Sequence, residues 1–390
     1  MMKNSYAIFF IFLNVFILLF LIILLKNILG REYYFSEILE NQYCVTYNYL
    51  EATESFRESD GLEPISLATH ATSDMLKTLE NMPKMWNSPI SVAIFVDEKT
   101  QKSLDYLQNL HNCDKEFQRK MTIHVAFRKS AFQKRCPPLL RPKNSETSCF
   151  EFLSHQKSYR DRIPSFFGLY PFGLMRNIAR KGAKSDIHFV MDSDMIVSEG
   201  MDQKIKRIAN QMLDGKLKNV ILVRRFENVV GTEIPRNVKD LEESMRNNIT
   251  FEFHHKYFFK GHKIPNLTFW RTQSQDNLPV STWNEPYSNP DWEPQPILHR
   301  NSPLGPDYVP SRVKTMCSVI YKLCRAGYNF HVISHVFNVQ EGIKLDNTVY
   351  GNAIAHHQYT YARDKVQERF TKEMDWKYPG TKEKCGHFVF

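Results

Sequence analysis

Short β-branched apolar runs alternate with amphipathic helical segments, and this alternation constrains the chain more than any other feature. Ile65-Ser66-Leu67-Ala68, Ile90 to Val96, Thr122 to Phe127, Ile187 to Met191 and Val220 to Val223 all read as buried strands. Between them lie helical patterns. One is capped by Thr72 or Ser73 and carries Leu76 and Leu79; the next carries Leu104, Leu107 and His111. A third, around Leu174 to Ala179, ends at Gly182, and a fourth shows Ile205, Ile208 and Met212 on one face. Repeated β-α units predict an α/β fold with a mostly parallel central sheet, whose ligands bind at the carboxyl ends of the strands. From about 228 to 312 the chain is rich in Asn, Pro, Trp and His without a period, and reads as long loops over the sheet. Order resumes with a helix from Thr315 to Ala326 stopped by Gly327, a strand Phe330 to Ile333, and a helix from Arg363 to Trp376.

Ahead of these units, Ala7 to Leu25 carries no charge and one polar residue, Asn14. As a helix this stretch reaches roughly 28 Å, enough to span a bilayer. The following Lys26-Asn27-Ile28-Leu29-Gly30-Arg31 offers no small-residue cleavage pattern, so an uncleaved anchor is expected. The expected division is a cytoplasmic tail at 1–6, a transmembrane signal anchor at 7–29, a stem at 30–61 and a lumenal domain at 62–390. The acceptor triplets Asn248-Ile249-Thr250 and Asn266-Leu267-Thr268 favour a lumenal body. All 7 cysteines lie beyond the anchor, which suits an oxidising compartment, and their odd number leaves at least one unpaired within the chain. Cys317 and Cys324 on one helix stand roughly 10 Å apart, too far to pair with each other.

The net charge of +9 is spread along the chain, with no Lys/Arg block longer than Lys204–Arg207. Without a basic stripe interleaved with aromatics, nucleic acid is not an expected partner. An acidic substrate or an anionic membrane surface accounts for the charge equally well.

The residues most suggestive of chemistry are Asp192-Ser193-Asp194, directly after the strand Phe189-Val190-Met191. On an extended chain the two carboxylates share one side, where hard oxygen ligands suit Mn²⁺ or Mg²⁺ and the metal can clamp a diphosphate. A polar turn is the plainer reading of an isolated Asp-x-Asp. Thr69 and His70 follow the first strand and would line a nucleotide pocket or simply cap the strand. Trp292-Glu293-Pro294 offers a stacking face and a general base, or a structural Trp in a loop. The pairs His254-His255 and His356-His357 lack the helical spacing of zinc hydrolases, and no phosphate loop or nucleophile elbow is present.

Several motifs occur together in a definite order: Ile65 to His70, Trp86-Asn87-Ser88-Pro89-Ile90-Ser91, Tyr170-Pro171 with Leu174 to Ala179, the Asp192/Asp194 strand, Phe226-Glu227, Trp292-Glu293-Pro294 and Ala326-Gly327-Tyr328. In this the chain resembles glycosyltransferase family 49, which holds LARGE-type and β-1,4-glucuronyltransferase enzymes. Tyr43-Cys44, Thr46 to Leu50 and Tyr378-Pro379 with Cys385 bring it nearer the glucuronyltransferase branch, and the resemblance spans roughly 43 to 385. It implies a GT-A fold, a type II Golgi membrane protein, a UDP-sugar donor, a glycan acceptor on a glycoprotein, Mn²⁺ and inverting transfer. In that reading Asp192 and Asp194 hold the metal, while Arg176 and Asn177 lie near the donor with Thr69 and His70.

The chain departs from the family at Pro306 to Lys314, and Gln340 stands where the family carries a metal-binding His. A neutral amide oxygen is expected to weaken Mn²⁺ binding. Glu293 and Asp307 are the nominated bases, and Arg176, Arg224 and Arg225 are available to meet a donor carboxylate. Glucuronic acid is the favoured sugar. The alternatives are xylose or N-acetylglucosamine from its UDP donor, or a catalytically silent Golgi protein that binds a glycan or a partner glycosyltransferase.

Overall fold

A computed structural model describes residues 33–56, 59–140 and 147–390. The expected anchor at 7–29 lies outside the described residues, among which no helix is long and apolar enough to cross a membrane. The described chain builds one 12-stranded sheet with helices packed on it.

In chain order the strands are β1 (Glu37–Leu39), β2 (Tyr43–Leu50), β3 (Ile65–Ala71), β4 (Ile90–Phe95), β5 (Met121–Arg128), β6 (Ile187–Val190), β7 (Met195–Val197), β8 (Asn219–Asn228), β9 (Thr250–Glu252), β10 (Thr282–Asn284), β11 (Gln295–His299) and β12 (Asn329–Glu341). The helices used below are α1 (Leu76–Met85), α2 (Lys102–Cys113), α3 (Phe172–Gly182), α4 (Met201–Met212), α5 (Leu267–Gln273), α6 (Thr315–Arg325), α7 (Val349–Tyr361) and α8 (Gln367–Lys377). The main path through the sheet runs β10-β12-β8-β11-β6-β3-β4-β5-β2-β1. The α/β alternation expected from the apolar runs is present: β3, β4, β5 and β6 pair in parallel, joined by α1 to α3, and every residue of β3, β4 and β6 is buried. Strands covered on both faces are continuously apolar for that reason.

The sheet is mixed, however, and not mostly parallel. β11 enters its middle antiparallel to both β8 and β6, and β2, β7, β9 and β10 also pair antiparallel with their neighbours. The irregular stretch 228–312 therefore contributes strands as well as loops. Pro294 and Pro296 flank Gln295 and disguise β11, since proline usually argues against an interior strand. Residues expected to form a stem also belong to the sheet: β2 pairs with β5, and Cys44, Val45 and Thr46 are buried.

Gly182 does end a helix, but its value lies in close approach. A Cβ there would stand 2.1 Å from His124 Nε2. His124 is itself buried and fixed, with Ser91 Oγ 2.9 Å from Nε2 and the Asn48 amide donating to Nδ1 at 3.0 Å. Disulfides join Cys44 to Cys136, Cys113 to Cys149 and Cys324 to Cys385, leaving Cys317 free and buried. The last bond, with the Arg325–Asp375 ion pair at 2.9 Å, fastens the carboxyl-terminal helices to α6.

Candidate active site

The Asp-Ser-Asp segment lies between β6 and β7, at the carboxyl ends of β3 and β6, where a parallel sheet places its ligands. It is a turn and not an extended run, because the Met195 amide donates to the Asp192 carbonyl at 3.2 Å. The two carboxylates consequently meet different surroundings. Asp192 Oδ1 accepts from Arg176 at 2.7 Å and lies 3.6 Å from His70 Nε2. Its Oδ2 lies 3.4 Å from Gln295 Nε2 and 3.9 Å from Arg225. Burial pushes the Asp192 carboxyl up, but Arg176, His70 and Arg225 together hold it well below the usual carboxylate range.

Asp194 behaves oppositely. β7 pairs with β12 so that Met195 faces Gln340, and Gln340 Nε2 reaches Asp194 Oδ2 at 2.5 Å. Although the Asp194 side chain is exposed, burial by its surroundings and then the charge of Asp192 push its carboxyl up to about 6. A carboxylate raised by a like charge is one that a cation would stabilise. Asp192 and Asp194 offer the hard oxygens that Mn²⁺ or Mg²⁺ takes, and Gln340 adds a third once its amide turns so that Oε1 replaces Nε2 beside Asp194.

Glu293 lies in the same charged cluster. Its side chain is 22% exposed, its Oε1 is 3.1 Å from His262 Nε2, and its backbone carbonyl accepts from Arg225 at 2.7 Å. Burial raises its carboxyl above the usual range against the pull of Arg225 and Arg176, and the Asp192 charge raises it further. Such a carboxylate is a stronger base than a free glutamate. The adjacent Trp292 is no stacking face: it is fully buried, and its Nε1 donates to the Lys263 carbonyl at 3.1 Å.

The other predicted residues divide between this charged cluster and the scaffold behind it. His70 belongs to the cluster through Asp192, with Nδ1 2.9 Å from the Tyr170 hydroxyl, while Thr69 is buried on β3 with an unpartnered hydroxyl. Asn177 and Asp307 hydrogen-bond to each other. Asn177 also exchanges hydrogen bonds with the Gly305 backbone at 2.8 and 3.0 Å, so the pair anchors the segment before α6 to α3. Burial pushes the Asp307 carboxyl up, and Lys181, Glu40 and Lys322 are its charged neighbours. Arg224 points to the opposite face, donating to the Ile264 carbonyl at 2.7 Å and packing over Trp270. It is therefore not available to a donor carboxylate, whereas Arg176 and Arg225 lie beside Asp192.

The structure adds residues the sequence left unassigned. His254 and His262 meet through Nδ1 and Nε2 at 3.0 Å, and Lys344 Nζ sits 4.2 Å over the Tyr257 ring near Asp194 and Glu293. Gln295 bridges β11 to Asp192. The one local signal was the density of His and aromatic residues from Phe251 to His262. Nothing in that stretch says which strand it crosses.

Residues 64–379 match the family described as glycosyl-transferase for dystroglycan. Beta-1,4-glucuronyltransferase 1 of Danio rerio is 26% identical over 88% of this chain and 82% of its own length. The enzyme of the same name from Homo sapiens is 24% identical over 86% and 83%. Human xylosyl- and glucuronyltransferase LARGE1 is 21% identical, over 86% of this chain and 38% of that protein. A solved structure of GalNAc-T7 with UDP, GalNAc and Mn²⁺ covers 84% of this chain and 54% of its own at 10% identity and a TM-score of 0.41, a likeness too low to argue from.

Proposed function

Given that the chain belongs to the family of glycosyl-transferases for dystroglycan and is thus a glycosyltransferase, we propose that it moves glucuronic acid from UDP-glucuronic acid to a glycan acceptor, with inversion at the anomeric carbon. The observation that carries this reading is the placement of Glu293: a raised, partly exposed carboxylate in the same cluster as the Asp192/Asp194 turn. Such a base removes the acceptor hydroxyl proton while the hydroxyl oxygen bonds to the anomeric carbon. The bond from that carbon to the diphosphate oxygen breaks on the opposite face, and its electron pair leaves with UDP.

Asp194, Asp192 and Gln340 would hold Mn²⁺, which when bound neutralises the charge gathering on the diphosphate. Arg176 and His70 keep Asp192 ionised and oriented. Arg225 supports the main chain at Glu293, and Lys344 offers a cation toward an acidic donor. The proposal includes a GT-A fold and a type II protein of the Golgi membrane, its catalytic body lumenal. The disulfides and the exposed Asn248 and Asn266 support the lumenal reading.

A donor panel tests the function. UDP release from UDP-glucuronic acid, UDP-xylose and UDP-N-acetylglucosamine is measured with Mn²⁺ or chelator, for the wild type and Asp194→Asn. Release from the glucuronyl donor alone, lost with chelator and in the variant, is expected. Preference for either other donor overturns the choice of sugar, and chelator-resistant release overturns the metal.

A further inference from the structure

Glu293 does not stand alone, and the groups behind it form an ordered chain. Arg225 Nη2 lies 2.5 Å from His262 Nδ1. A guanidinium can only donate, so Nδ1 is the acceptor nitrogen of the ring and carries no proton. The proton of the neutral imidazole is thereby confined to Nε2, which lies 3.1 Å from Glu293 Oε1. Nε2–H thus has two acceptors in reach, His254 Nδ1 at 3.0 Å, with which it hydrogen-bonds, and Glu293 Oε1 at 3.1 Å. Burial, Arg225 and His254 keep His262 well below its ordinary titration range, so the ring stays neutral.

Each link is itself fixed. The Arg225 guanidinium packs 4.3 Å over the Phe253 ring and donates to the Glu293 carbonyl at 2.7 Å, and it lies 3.9 Å from Asp192. His254 stacks on Phe253 with ring centroids 3.8 Å apart and brings its Nδ1 within 3.0 Å of His262 Nε2. It holds this position with φ at 53°, in the left-handed region that non-glycine residues seldom occupy and that recurs at functional sites. Arg225 of β8 and His262 beyond it thus connect Asp192 to Glu293.

We infer that His262 is a positioning residue for transfer: with Nδ1 held by Arg225, its Nε2–H orients the Glu293 carboxylate toward the acceptor hydroxyl. The inference rests on the reading of Glu293 as the base. It requires an acceptor for Arg225 and a donor for Glu293 from one side chain, a pair of roles that glutamine can also supply through Oε1 and Nε2.

The test uses the full chain with UDP-glucuronic acid and Mn²⁺, comparing His262→Leu, His262→Gln and Glu293→Gln for kcat, donor KM and thermal midpoint. His262→Leu is expected to lower kcat about 10²-fold with donor KM little changed, because a misplaced base slows chemistry and not binding. His262→Gln is expected to recover most of that loss, which a purely structural role would not produce. If His262→Leu does not fold, His262→Asn, too short to reach both partners, is expected to show the same loss of kcat. Wild-type kcat in His262→Leu, or an equal loss in the Leu and Gln variants, overturns the inference. Full activity in Glu293→Gln instead overturns the assignment of the base on which it stands.

Discussion

Glu373 of α8 offers a stability test whose size and pH dependence both follow from the structure. Its carboxylate accepts from the Tyr308 hydroxyl at 2.6 Å, Lys322 at 3.2 Å and Lys377 at 2.9 Å, with its side chain 18% exposed. Burial pushes the carboxyl up, but these three donors outweigh it and hold the group at about 2, against 4.5 for a free glutamate. A shift of that size corresponds to about 3 kcal/mol by proton linkage. Lys377 is 41% exposed, so solvent screening reduces the figure to about 2 kcal/mol. Because the folded-state value is the lower one, this stability is fully present above about pH 4.5 and is lost as pH falls through about 2. Urea unfolding of wild type and Glu373→Gln is therefore expected to differ by about 2 kcal/mol at pH 7 and by less than half of that at pH 3. A gap unchanged between these pH values, or one under about 0.5 kcal/mol at pH 7, refutes the reasoning.

Other perturbations follow from single contacts. Gly182→Ala drives a methyl into His124 and is expected to cost about 3 kcal/mol, read as a lower urea midpoint at unchanged m. Trp270→Ala on α5 removes a fully buried ring and its 2.8 Å bond to the Ile333 carbonyl, for about 3–5 kcal/mol by the same measurement. Gln340→His restores an imidazole beside Asp194 and is expected to tighten Mn²⁺ about tenfold by calorimetric titration. Lys344→Met is expected to raise KM for UDP-glucuronic acid about tenfold while leaving the thermal midpoint within a few degrees, since Lys344 Nζ packs over the Tyr257 ring and carries a charge toward Asp194 and Glu293.

The parts of the fold that could be read from sequence are those where burial on both faces forces a continuous apolar run. β3, β4, β5, β6 and the start of β8 are of this kind. β2 was hidden because Tyr43, Tyr47, Asn48 and Tyr49 interrupt its apolar residues, and β11 because prolines flank it. β12 runs through His335, whose φ is 66°, near a break in the register between β12 and β8, so only its first residues looked extended.

The site shows the same division. Asp192, Asp194 and Glu293 can be nominated from sequence because each sits in a short motif with a chemical meaning, and Arg176 and Gln340 through the family resemblance. Asp307 was nominated with Glu293, but only a structure could separate them: one couples to Asn177 and α3, the other to Arg225 and His262. His254 and His262 come from a stretch without periodicity, and the place of His262 depends on contacts to Arg225 and Glu293 from distant parts of the chain. Spacing within a motif cannot report such contacts.

The central claim is a single displacement at the anomeric carbon assisted by Glu293. With water as acceptor, the most direct test is the anomer of glucuronic acid first released from the α-linked UDP donor, followed by NMR before the sugar equilibrates. The account predicts the β anomer. Initial release of the α anomer would mean retention, and would contradict the role given to Glu293.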